Sequence, residues 1–206
     1  GRRVRQSNVV YVCLEGAQGL ANRMRAYEKH HRVTLPEDGF RVVTEGVQLF
    51  RSDITRFAAA INAEKLDGGV IVIDTLAQAA VGADENSSVD MGVIIANTRK
   101  LQEETGGLVL LVHHVGKDAS RGQRGHSSLL GALDASIEVR NLQTGRNWRV
   151  DKVKDGAAGE ERNFRLEIVN LGTDGDGDPI TSCVAVSDLL RPPPKPALQG
   201  ANQKAI

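Results

Sequence analysis

Aromatic residues make up only 3% of this 206-residue chain, too few for a platform on which successive bases stack. Cysteine is almost as scarce. Cys13 and Cys183 each stand singly in an apolar run, with no neighbouring cysteine at metal-ligand spacing. They read as buried, reduced thiols of a cytosolic protein. No apolar run approaches the ~20 residues of a membrane-spanning helix, and no signal peptide opens the chain. The expected location is cytoplasmic, with no membrane partner. Excess charge of either sign is missing too, because 26 basic and 26 acidic residues cancel. Any attraction to nucleic acid must therefore come from a local patch. The length suffices to bury a full core and suggests one domain with small extensions.

What is present is organised around Gly68-Gly69-Val70-Ile71-Val72-Ile73-Asp74-Thr75. Four β-branched aliphatics without a polar break read as a strand buried on both faces, as in a parallel sheet. Asp74 then emerges at the carboxyl end of that strand, where open α/β sheets place their ligands. A helix-capping or turn aspartate is the plainer alternative.

The chain opens abruptly, with Gly1-Arg2-Arg3-Val4-Arg5 leading into a strand over residues 8–14. A start so close to an interior strand leads us to expect an upstream part of a longer protein. Glu15-Gly16 ends the strand, and Leu20, Met24 and Tyr27 give a helix over about 18–30. Turn residues at 36–39 precede a strand at 40–44. Ile54, Phe57, Ala58 and Ile61 mark a helix that Ser52 would cap, running to about 65. After Asp74, a polar loop at 82–88 leads to a helix over about 89–104, stopped by Gly106-Gly107. A second fully apolar strand, 108–112, ends in His113-His114. Alternating strands and helices with buried strands predict an α/β fold: a mostly parallel sheet flanked by helices. A loop rich in glycine and basic residues, 116–128, leads to a short helix at 129–132. Strands at 135–140, 148–154, 164–169 and 180–185, separated by Thr144-Gly145, Asp155-Gly156 and Asp174-Gly175, predict C-terminal antiparallel hairpins. The tail beyond 188 carries Arg191-Pro192-Pro193-Pro194-Lys195-Pro196 and reads as a polyproline-type linker. The expected organisation is thus a core at 1–188 and a tail at 189–206.

Carboxylates and a histidine at three strand ends suit nucleotide hydrolysis. In P-loop enzymes an aspartate after an apolar strand holds magnesium, usually through water, and a separate residue orients the attacking water. A polar residue on the adjacent strand can sense the γ-phosphate. Asp74, Glu15 and His114 fit these roles in that order. The motif G-x-x-x-x-G-K-[ST] occurs nowhere in the 206 residues. Gly116-Lys117-Asp118 is no substitute, lacking the first glycine, the hydroxyl and the following helix.

The segments VVYVCLEG, GGVIVIDTLAQAAVGADENSSVDMG, LVLLVHHVGKDASRGQRGHSSLLGALDA and VDKVKDGAAG, in that order, resemble RecA-like P-loop ATPases of the plasmid RepA hexameric helicase type. The likeness spans residues 9–186. In that family the P-loop unit directly precedes the strand that begins this chain, so the resemblance implies an N-terminally truncated core that is inactive alone. It implies a RecA-like fold and hydrolysis of ATP with Mg2+ in a homo-oligomer, expected to be a hexamer. Translocation on single-stranded DNA follows as the expected activity. Glu15 matches the carboxylate that activates water, and Asp74, followed by Thr75, the magnesium-associated acid at the nucleotide. His114, or else His113, matches the switch residue coupling γ-phosphate to the DNA-facing loop. Arg124 matches a motif arginine, and Arg140 falls near the position of a trans-acting arginine finger. Lys152 and Lys154 match the hairpin K-x-[RK]-x-G that reaches the neighbouring subunit's nucleotide, with lysine rather than arginine at 154 removing a bidentate contact.

Plainer alternatives stand beside these. Glu15 suits a first-turn carboxylate at a helix start, and the two histidines suit ordinary core or surface positions. Lys117, Arg121 and Arg124 form either a solvated basic loop or a contact to DNA phosphates. The run Asp174-Gly175-Asp176-Gly177-Asp178 reads as a hairpin turn rather than a calcium loop. At the level of function, the competitors are a RecA-like regulatory or recombination ATPase that does not unwind DNA, and a non-enzymatic assembly subunit.

Overall fold

The computed structural model describes residues 5–51, 54–114, 126–142 and 145–188. In chain order the elements are β1 (Val9–Cys13), a 3-10 turn (Ala17–Gly19), α1 (Leu20–His31), β2 (Phe40–Val43), α2 (Ile54–Ala63), β3 (Val70–Asp74) and α3 (Leu76–Ala79). They continue with α4 (Ser88–Thr105), β4 (Leu108–Val112), α5 (His126–Ala132), β5 (Ala135–Leu142), β6 (Gly145–Val153), β7 (Glu161–Thr173) and β8 (Pro179–Ser187). The chain divides into two compact units, residues 1–132 and 133–206.

In the first unit four strands run parallel in the order β2-β1-β3-β4. Right-handed crossovers put α2 and α4 on one face, because β2→β3 and β3→β4 step in the same direction, and α1 on the other. The α2/α4 face is the core. Val10, Val12, Ile71 and Ile73 are at most 2% exposed there, and Ile54, Ala58 and Ile61 of α2 and Met91, Ile94 and Leu101 of α4 are buried with them. Each such aliphatic contributes about 1.5–3 kcal/mol by leaving water. The α4 N-terminus is capped by Ser87, whose hydroxyl accepts the Asp90 N–H, and its end by Gly106 in the left-handed region.

Burial on both faces was expected of β3 and β4, and the structure corrects this. On the second face Val70 and Val72 are half-buried, and Leu108 and Leu110 are 57% and 47% exposed. The helix on that side, α1, joins β1 to β2 and buries only Ala26. An unbroken aliphatic run therefore marks β-propensity here, not two covered faces.

The second unit is an antiparallel sheet in the order β5-β6-β7-β8. The β7–β8 connection is a turn, as expected: the Asp174 carboxylate accepts the N–H groups of Asp176 and Asp178. Cys13 is buried, but Cys183 is exposed, contrary to expectation. It alternates outward with Thr181 and Ala185 while Val184 turns inward. The expected cap Ser52 and the tail beyond 188 lie outside the described residues. Among the described residues no helix is long and apolar enough to cross a membrane.

Candidate active site

Register decides what meets at the carboxyl edge of the parallel sheet. Cys13 pairs with Asp74, and Asp74 with Val112, so β1, β3 and β4 end in one row. The Leu14 N–H donates to the Asp74 carbonyl at 2.6 Å, carrying the two central strands one residue further together. The chain then turns at Gly16, whose φ of 67° is the left-handed conformation that glycine adopts without steric cost. Arg23 of α1 donates to the Gly16 carbonyl at 3.0 Å and pins the turn.

Glu15 consequently faces the start of α3. Thr75, 2% exposed, caps that helix by accepting the Gln78 N–H at 3.4 Å, and its hydroxyl donates to Glu15 Oε2 at 3.3 Å. The Asp74–Thr75 peptide bond is cis. From β1 the Tyr11 hydroxyl donates to Asp74 Oδ2. Burial first, then this bond and the Asp74 charge, push the phenol pKa well above its ordinary value, with Arg23 opposing weakly. Glu15, Thr75, Asp74 and Tyr11 thus form one hydrogen-bonded group across two strand ends.

The donor set is hard oxygen: two carboxylates and a hydroxyl. Magnesium is held by one or two carboxylates together with water and phosphate oxygens, rather than by an all-protein cage. Among the described residues no cluster of three or more His, Cys, Asp and Glu could make such a cage. The residues therefore fit a magnesium–nucleotide pair.

Other expected site residues are placed differently. His114 follows β4 two residues beyond Val112, on the strand beside Asp74. The hydrogen bonds of the Glu15–Tyr11 group do not extend to it. Arg140, Lys152 and Lys154 belong to the second unit. Arg140 lies opposite the fully buried Asn147 and forms an ion pair with Glu138 at 2.5 Å. That hydrogen bond is the main cause holding the Glu138 carboxyl below its usual range. Lys152 sits opposite Ser136, and the Lys154 ammonium is 3.6 Å from Asp134. Lys117, Arg121 and Arg124 lie outside the described residues. Two polar residues near the site were missed in sequence: Tyr11 and Arg23. A lone phenol inside an aliphatic strand, at the same-face spacing of two from Cys13, was the available signal for the first.

A family model described as AAA domain matches residues 1–120. No curated protein matches the chain. Among solved structures, a helicase ATPase domain superposes with a TM-score of 0.55 at 11% identity, over 78% of this chain and 71% of that one. The RadB recombinase superposes with a TM-score of 0.56 at 17% identity, over 78% of this chain and 76% of that one. The fold is that of RecA-like ATPases. By the family match over more than half its length, the chain belongs to the AAA domain family.

Proposed function

We propose that this chain is the core of a cytoplasmic, ring-forming ATPase that couples ATP hydrolysis to translocation along single-stranded DNA, in the manner of plasmid or phage replicative helicases. The observation that carries the ATPase part is the Glu15–Thr75–Asp74–Tyr11 group at adjacent carboxyl ends of a parallel sheet. Glu15, held by Thr75, orients the attacking water and takes its proton. Asp74 orients the water shell of the cation from the end of β3. Magnesium, when bound with ATP, neutralises charge on the β- and γ-phosphates. His114 reads the γ-phosphate from the neighbouring strand. Arg140 or Lys154 of an adjacent subunit, with Lys152, stabilises the charge that develops on the transferred phosphoryl group. Lys117, Arg121 and Arg124 contact DNA phosphates. The working core is residues 1–188, with 189–206 as a tether.

The test is Glu15→Gln in the complete gene product. Turnover should fall by at least about 100-fold, the scale of a lost general base, while ATP binding measured by calorimetry is kept. Loss of binding with turnover would remove Glu15 from the water-activating role. A recombinase-like ATPase without unwinding is the second reading, favoured by the equal superposition on RadB. DNA-stimulated hydrolysis without strand separation distinguishes it.

A further inference from the structure

Asp74 is not left to solvent at the end of its strand. Tyr11 pairs with Val72, and Cys13 with Asp74, so the two-residue period puts Tyr11 and Asp74 on the same sheet face, one diagonal step apart. The phenol spans that step and donates to Oδ2. Oδ1 is left to face whatever Asp74 binds. Every other residue of β1 is aliphatic or cysteine, and a phenylalanine at this position would fill the same half-buried space. The hydroxyl therefore needs a reason of its own, and the only described side chain it meets is the Asp74 carboxylate.

We infer that Tyr11 is a positioning residue for the divalent cation: by occupying one carboxylate oxygen of Asp74, it aims the other at the water shell of magnesium. The inference rests on the ATPase reading above and deepens it. A carboxylate at a strand end otherwise turns freely about its terminal bond, and fixing it removes that freedom before the cation arrives. A protonated phenol is suited to the task because it donates one hydrogen bond and adds no charge that would compete with the cation.

The experiment uses the complete gene product carrying Tyr11→Phe, with Mn2+ as the probe in the presence of a non-hydrolysable ATP analogue. Mn2+ binding followed by electron paramagnetic resonance should weaken about 10–100-fold, the usual effect of losing such an outer partner. The Mg2+ concentration giving half-maximal ATPase should rise in parallel, while kcat at saturating Mg2+ stays within about threefold of the parent. Mn2+ affinity within twofold of the parent overturns the inference, as does an equal loss of kcat at every Mg2+ concentration. A second arm keeps the tyrosine. The chain has two tyrosines, Tyr11 and Tyr27, so Cζ-labelled protein gives two carbon resonances. Mn2+ should broaden that of Tyr11 and not that of Tyr27, and Asp74→Asn should abolish the broadening. Broadening that persists in Asp74→Asn, or none in the parent, counts against the assignment. Should Glu15→Gln keep full turnover, the ATPase reading itself falls; should it behave as expected while Tyr11→Phe shifts nothing, only the present inference falls.

Discussion

Replacing Gly69 by alanine is the sharpest test of how the parallel sheet fixes its active edge. A Cβ there would lie 2.4 Å from the carbonyl oxygen of Asn8 and 2.8 Å from its carbonyl carbon. Neither is a side chain that can swing away. The Asn8 carbonyl accepts the Val70 N–H at 2.8 Å and leads directly into β1, so relief requires the mouth of the β1–β3 pair to open. Forcing a methyl group into such a site costs about 1–3 kcal/mol, and losing the strand-entry hydrogen bond adds about 1 kcal/mol. Gly92→Ala is the matched control. It lies on the exposed side of α4, nothing comes within 4 Å of its added Cβ, and removing a mid-helix glycine stabilises by about 0.5–1 kcal/mol. For a chain of this size 1 kcal/mol corresponds to roughly 2–4 °C in Tm. Gly69→Ala should therefore melt roughly 4–16 °C below the parent and Gly92→Ala roughly 1–4 °C above it, by circular dichroism with urea titration alongside. A Gly69→Ala protein that melts within about 2 °C of the parent would refute the close-approach argument.

Two further outcomes concern the parts contributed between subunits and to DNA. Mixing Arg140→Ala or Lys154→Ala subunits with Glu15→Gln subunits should restore some ATPase at hybrid interfaces, and no rescue in either mixture would count against a residue acting in trans. Arg121→Ala or Arg124→Ala should weaken single-stranded DNA binding about equally for all sequences and reduce the logarithmic salt slope by about 1 each, measured by fluorescence anisotropy.

Long aliphatic runs with clean breaks made most of the architecture legible. Val70-Ile71-Val72-Ile73 and Leu108–Val112 are strands within a residue of expectation, and the four C-terminal strands form the expected antiparallel sheet. What escaped was whatever depends on pairing across the sheet. The Tyr11 phenol acquires its meaning only when the register sets it diagonally from Asp74, and no one-dimensional spacing contains that register. Exposure of Leu108 and Leu110 was equally hidden, because composition reports strand propensity without saying how far a covering helix extends. The four-residue α3 is too short to show a helical period. Thr75, by contrast, was legible as a neighbour of the nucleotide but not as the group that holds Glu15.

The edge of β4 sets the colloidal behaviour of this polypeptide. Among the described residues β4 pairs on one side only, with β3. Its five residues are all aliphatic, with no lysine, proline or bulge to blunt them. Uncharged β-formers on an open edge are a template for adding strands from other chains, the geometry from which ordered aggregates grow. Whenever the sheet stands with that edge bare, concentration drives one molecule's β4 onto another's, and shelf life in solution is set by five residues remote from the chemistry.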